Sequence, residues 1–179
     1  MLKTETTGLI VVDVQGRLAR IVQDSDTVIG NIGLLIQGVR ILELPVIWLE
    51  QNPDKLGPTV EELQPLLRPG RPIPKMTFDG CGAPDCVRAI QESARTQWLL
   101  CGIETHICVY QTAMSLLGLG HEVELVRDCV SSRAQTNTDL AVAKMAGKGV
   151  GMTSLEMCLY ELLGDCRAPE FKELLRLVR

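Results

Sequence analysis

Four residues near the N-terminus, Leu9-Ile10-Val11-Val12, restrict the fold of this chain more than any other stretch. The run is wholly apolar, mostly β-branched, and bounded by Gly8 and Asp13. A strand with one wet face alternates apolar with polar residues, so a run with no polar member calls for cover on both faces. The pattern recurs in Pro45-Val46-Ile47-Trp48-Leu49 and in Gln97-Trp98-Leu99-Leu100-Cys101-Gly102. Glu122 to Val126 alternates and reads as a fourth strand, Ile73 to Phe78 as a short extended piece, and Val150 to Thr153 as another short strand. Between them lie helical patterns. Val28 to Leu42, behind a cap at Asp26-Thr27, has Ile32, Leu35, Ile36 and Val39 at helical spacing. Ala83-Pro84-Asp85 opens a helix to about Ala94, and Thr105 caps one that ends at Gly118 and Gly120. Thr138 to Lys148 is helical, Ser154 caps a helix to Leu163, and Pro169 to Val178 forms the last. Val60 to Leu67 is a short helix interrupted at Pro65, while Asn52 to Pro58 and Arg68 to Pro72 are loops. Strands alternating with helices mean βαβ units and a parallel sheet, whose sites lie at the carboxyl ends of the strands.

The chain has 179 residues, about one domain at roughly 100–200 residues per domain. No linker or repeat divides it, so residues 1–179 are expected to form a single domain. A net charge of −4 argues against a nucleic-acid partner and against an anionic membrane surface. No apolar run approaches the ~18 residues of a membrane span, and Met1-Leu2-Lys3-Thr4-Glu5 lacks a signal-peptide layout. Seven cysteines, an odd number without close pairs, point to reduced thiols in the cytoplasm. Two histidines, His106 and His121, leave few candidates for a histidine-rich metal cage or a Ser-His-Asp relay.

Three residues stand out for chemistry. Cys108 falls in the first turn of the helix after the third strand, where free N–H groups and the positive helix end favour a thiolate and could hold an oxyanion. Read by itself, it is a small core hydrophobe, as most free cysteines are. Asp13 closes the first strand, as a turn residue, a cap or a site residue at the sheet mouth. Lys75, between Pro74 and Met76, is either a solvated lysine or a cation that supports a nearby cysteine and carboxylate.

Together these residues resemble the isochorismatase-like cysteine hydrolases, the superfamily that includes nicotinamidases and N-carbamoylsarcosine amidase. The likeness runs from Leu9 to about Leu163. It rests on Leu9-Ile10-Val11-Val12-Asp13-Val14-Gln15, on Lys75-Met76-Thr77-Phe78, on Gly102-Ile103-Glu104-Thr105-His106-Ile107-Cys108-Val109, and on Ala113 and Asp128. It implies a three-layer, Rossmann-like α/β/α fold with a six-stranded parallel sheet. It also implies Cys108 as nucleophile, Asp13 as general base, Lys75 as the cation that stabilises the thiolate, and the N–H groups of Glu104 and Cys108 as oxyanion hole. A non-proline cis peptide is implied at Ile103–Glu104. Nicotinamidases carry an Asp-x-His metal site after the second strand. Glu50-Gln51-Asn52-Pro53 stands there in this chain, so no metal and no cofactor is expected.

Gln15, Glu50, Phe78 and Tyr110 are the expected substrate-pocket linings. Cys81 is either near the pocket or an ordinary loop thiol. His106, two helical positions from Cys108, faces elsewhere and reads as a surface or interface residue, and His121 reads as a helix-end or surface residue. The expectation is a hydrolase cleaving a C–N bond of a small amide, ureido or carbamoyl substrate through a thioester, self-associating as a homo-oligomer. A non-catalytic scaffold on the same fold, an isochorismatase-type vinyl-ether hydrolase and a thiol redox sensor are the alternatives.

Overall fold

The structure, a computed structural model, describes residues 1–179. Six parallel strands form one sheet: β1 (Thr7–Val12), β2 (Val46–Gln51), β3 (Ile73–Lys75), β4 (Gln97–Ile103), β5 (Glu122–Ser131) and β6 (Gly151–Thr153), in the order β3-β2-β1-β4-β5-β6. The helices are α1 (Gly16–Ile21), α2 (Ser25–Ile41), α3 (Pro53–Leu56), α4 (Gln64–Leu67), α5 (Pro84–Ser93), α6 (Tyr110–Gly118), α7 (Gln135–Ala146), α8 (Leu155–Leu163) and α9 (Phe171–Leu177). The fold is the expected three-layer α/β/α arrangement.

The apolar runs behave as two-faced strands. Leu9 and Val11 of β1 join Leu99 and Cys101 of β4 beneath α2 and α8, while Ile10 and Val12 join Trp98 and Leu100 beneath α5, α6 and α7. Leu9, Ile10, Val11 and Val12 are all inaccessible to solvent. Burying each such side chain contributes roughly 1.5–3 kcal/mol. The same alternation therefore fixes register, since a slip by one residue would exchange the two cores.

Strand order reverses between β1 and β4, which pair from Thr7↔Gln97 to Val12↔Gly102. A crevice opens at such a switch point, outside the carboxyl ends of the two strands. Asp13 follows β1 directly and Glu104 follows β4. The close approach there depends on Gly102, whose φ is +118°. A Cβ at this position would lie 2.0 Å from the Val12 carbonyl oxygen. Gly102→Ala is therefore expected to lower stability by roughly 2–4 kcal/mol, combining a disfavoured backbone region with a displaced strand carbonyl. Chemical denaturation of the two proteins measures the difference, and equal midpoints would refute it.

Several expected boundaries move. β5 runs to Ser131 rather than Val126, because a register shift against β4 between Leu100 and Gly102 carries the pairing past the polar Arg127-Asp128. β3 stops at Lys75; Thr77 and Phe78 leave the sheet, and their carbonyls turn back onto the Lys75 ammonium. The loop expected over residues 52–58 contains α3, and α1 was not expected at all. α2 begins at Ser25, ahead of the expected Asp26-Thr27 cap, with Asp24 in the left-handed region. α7 starts at Gln135, earlier than expected. Ser154 caps α8 as expected, its Oγ accepting from Met157 N–H. No helix is long and apolar enough to cross a membrane, and all seven cysteines are unpaired.

Candidate active site

Asp13 reaches the crevice through an unusual backbone. Its φ is +52°, a region disfavoured for any residue but glycine and tolerated best by Asp and Asn. The turn is closed locally, as Gln15 N–H donates to Asp13 C=O at 2.8 Å, and Asp13 N–H donates to Leu49 C=O at 3.2 Å. The Asp13 side chain is thereby held against Lys75, which arrives from the end of β3, two strands away across β2. Lys75 Nζ lies 2.7 Å from Asp13 Oδ2, and both side chains are almost wholly buried. The ammonium also donates to Gln51 Oε1 at 2.7 Å and to the carbonyls of Thr77 and Phe78 at 3.2 Å each. Three protons thus face four acceptors. The contact with Asp13 is an ion pair of close approach rather than an aligned hydrogen bond, and neither Asp13 oxygen has an aligned hydrogen-bond partner in the chain.

Cys108 supplies the third group. It lies in a π-helical turn, Thr105–Val109, between β4 and α6, and is buried. Its thiol lies within the electrostatic reach of both the Asp13 carboxyl and the Lys75 ammonium. Burial, and then the charge of Asp13, push the thiol up to about 12, with Lys75 offsetting only part of this. This direction runs against the thiolate that the helix end was expected to favour. The helix-end effect was read from local sequence, whereas burial and the carboxylate are tertiary. Asp13 is itself raised above the ordinary carboxylate value, because burial outweighs the Lys75 charge. A carboxylate made more basic in this way is a better acceptor for the thiol proton.

The Ile103–Glu104 peptide is cis, as the resemblance implies. Glu104 N–H donates to no acceptor within the chain. Thr105 is not the expected cap; it is the first residue of the π-helical turn, and its buried hydroxyl has no hydrogen-bond partner.

The expected pocket linings are largely redirected. Gln15 is fully buried and clamps two loops: its Oε1 accepts from Gln51 N–H at 2.7 Å, and its Nε2 donates to the carbonyls of Gln51 and Gly57 at 3.1 and 2.7 Å. Glu50 anchors Thr59, accepting from its N–H at 2.7 Å and its hydroxyl at 2.8 Å, while that hydroxyl accepts from Trp48 Nε1. Gln15 thus has both ends of its amide engaged, and Glu50 has Oε1 engaged by Thr59. Tyr110 packs its ring beneath Lys144, whose Nζ is 4.9 Å from the ring centroid. Phe78 exposes its ring and contributes its carbonyl to Lys75.

His106 is not a free surface group; it is half-buried, with Nδ1 3.0 Å from Ser132 Oγ and Nε2 3.4 Å from Asn137 Nδ2. His121 stands edge-on to the buried Trp98 ring at 6.4 Å. Cys81 is half-buried in the turn Gly80–Gly82, and burial pushes its thiol up to about 12. Sequence reasoning passed over Gln51, which joins Lys75, Gln15 and, through Nε2, the Met76 carbonyl at 2.9 Å. Its one sequence signal was an amide at the end of a buried strand. No group of three or more His, Cys, Asp or Glu side chains is placed to hold a metal ion.

The chain is similar in sequence and in fold to known proteins. A family model described as "Isochorismatase domain" matches residues 7–157. The chain is 35% identical over 182 residues to isochorismatase domain-containing protein 2 of Danio rerio, covering 99% of this chain and 89% of that one. It is 36% identical over 175 residues to isochorismatase domain-containing protein 1 of Salmo salar, spanning 97% of this chain but only 61% of that protein's length. A solved structure named as the MAR1 ribonuclease of Caenorhabditis elegans superposes with a TM-score of 0.93 at 34% identity, covering 99% of this chain and 91% of the other.

Proposed function

The chain belongs to the isochorismatase family of hydrolase folds, and on that premise we propose that it is a cofactor-independent cysteine hydrolase of small amide, ureido or carbamoyl compounds. One observation carries the reading: a buried carboxyl, Asp13, is ion-paired to Lys75 at 2.7 Å, with the buried Cys108 thiol within reach of both charges, where β1 and β4 diverge. Buried charges are costly unless they serve one another, and a nucleophile, a base and a charge partner form the set that acyl transfer needs.

In this reading Cys108 Sγ attacks the substrate carbonyl carbon while its proton passes to Asp13. The carbonyl electron pair moves onto oxygen, which accepts hydrogen bonds from the N–H groups of Glu104 and Cys108. Collapse breaks the C–N bond, and the departing amine takes the proton from Asp13. Water then gives a proton to Asp13 and adds to the thioester carbon; the sulfur leaves and recovers that proton. Lys75 keeps the Asp13 site ionised between transfers and moves no proton itself. The near-complete burial of Cys108 supports a small substrate. The same reading places the protein in a reducing cytoplasm, as an assembly of identical chains, with no nucleic-acid or membrane partner.

The Caenorhabditis relative is named a ribonuclease, so RNA belongs among the test compounds. With a net charge of −4, a chain offers poor electrostatic support for phosphodiester binding. A panel of small amides, ureido acids, carbamoyl compounds, a vinyl ether and RNA should show turnover confined to the first three classes. Acid quenching during turnover should trap a hydroxylamine-labile adduct on the Cys108 peptide. Turnover of the vinyl ether without an adduct would favour the isochorismatase-type alternative, and no turnover at all would favour the scaffold.

A further inference from the structure

We propose that Arg133 is a positioning residue for acyl transfer at Cys108, aiming the Glu104 N–H by holding the Glu104 carboxylate. The inference rests on the cysteine-hydrolase reading and adds a residue to it. Arg133 lies in the short loop between β5 and α7, 29 positions after Glu104. Its backbone N–H and its Nε both donate to Glu104 Oε1 at 3.1 Å, and Nε also reaches Oε2 at 3.3 Å. The carboxylate beneath is buried, while the arginine side chain is more than half exposed. The Nε and the backbone N–H of one residue together hold the carboxylate in one orientation by charge-assisted hydrogen bonds.

The loop that carries Arg133 is itself fixed from two directions. Ser132 O accepts from Gln23 N–H at 3.0 Å, Arg133 O accepts from Gln23 Nε2 at 3.1 Å, and Ser131 Oγ donates to Gln23 O at 2.7 Å. On the other side His106 bridges Ser132 and Asn137. The two contacts are 3.0 Å from Nδ1 to Ser132 Oγ and 3.4 Å from Nε2 to Asn137 Nδ2. The π-helical turn bearing Cys108 is thus tied at His106, and the residue just before it at Glu104, to one rigid loop.

Glu104 needs such an anchor more than its neighbours do. Its N–H has no acceptor in the chain, so no internal hydrogen bond sets its direction. A donor aimed in advance at a developing oxyanion stabilises the transition state; one free to swing does not. Arg133 supplies this constraint through the side chain of the same residue.

The test compares two reactions of one sulfur. Acylation of Cys108 by p-nitrophenyl acetate passes through an oxyanion; alkylation by iodoacetamide does not. Both are followed by mass spectrometry of the Cys108 peptide. Arg133→Ala is expected to slow acylation roughly 10- to 100-fold, somewhat less than outright loss of an oxyanion donor, and to leave alkylation within about twofold. On a hydrolysed substrate the loss should fall on kcat rather than KM. Arg133→Lys, which keeps a cation and the backbone bond, should recover part of the rate. Glu104→Gln leaves no buried charge unpaired, so it guards against a folding defect; it should slow acylation as Arg133→Ala does. Acylation unchanged by Arg133→Ala, or acylation and alkylation falling together, overturns the positioning role alone. Failure of the unsubstituted protein to acylate at Cys108 overturns the cysteine reading and this proposal with it.

Discussion

Cys108→Ala should abolish turnover of every substrate the protein hydrolyses, by roughly 10³-fold or more, because no other group supplies the electron pair. The fold should survive nearly intact. Only one sulfur is lost from a site at the edge of the apolar layer between the sheet and α6, and a cost of about 1 kcal/mol is in scale for so small a truncation. Cys108→Ser should be almost as inactive, since a buried hydroxyl next to a carboxylate is a weaker nucleophile than a thiol.

The pH response separates this site from an ordinary reactive cysteine. Burial and Asp13 hold the Cys108 thiol near 12, so unassisted thiolate is scarce at neutral pH. Iodoacetamide should label the exposed Cys166 faster than Cys108 at pH 7. Hydrolysis needs an ionised Asp13, whose carboxyl is raised above the ordinary range. Turnover should therefore fall as pH drops, with a midpoint above that of a solvated aspartate. A profile that instead climbs with alkaline thiol ionisation would mean that Asp13 is not the base.

The strands were the legible part of this chain. β1, β2 and β4 announce themselves because the middle of a strand covered on both faces is apolar, their buried polar residues lying at the strand ends, and Ser154 declares α8 because a cap is a local interaction. Asp13, Lys75 and Cys108 were legible as a set through a family resemblance, and each alone had an ordinary alternative. Long-range partnership was not legible. Gln15 and Glu50 looked like polar strand-end residues facing a pocket; their partners Gln51, Gly57 and Thr59 come from other segments and occupy them. Arg133 carried no signal, since a loop arginine shows nothing in sequence of the buried carboxylate 29 residues earlier. The thiol was misread for the same reason. Helix position lies in the local sequence, but the depth of Cys108 and the approach of Asp13 arise only when β1 and β4 lie side by side.

Asp13→Asn should be the most damaging substitution for stability as well as a loss of activity. The amide keeps the shape of the carboxyl but leaves the Lys75 ammonium, almost wholly buried, with Gln51 and two carbonyls for company and no counter-charge. Removing one partner of a buried pair typically costs about 3–5 kcal/mol, most of it from the stranded charge rather than from lost attraction. The contribution of Asp13 itself has a definite sign. Its folded pKa is raised, so the stability it brings is present below its unfolded pKa and is lost as pH rises through the folded one. The pair is thus not held for stability at neutral pH. Asp13→Asn combined with Lys75→Met should accordingly be much more stable than Asp13→Asn alone, and within about 1 kcal/mol of the unsubstituted protein, because neither charge is left buried. It should hydrolyse nothing. Denaturant unfolding of the single and double variants measures the recovery, and a double variant no more stable than Asp13→Asn would show that the damage comes from lost packing. If stability returns without turnover, the buried pair is there for the proton it handles rather than for the fold it costs.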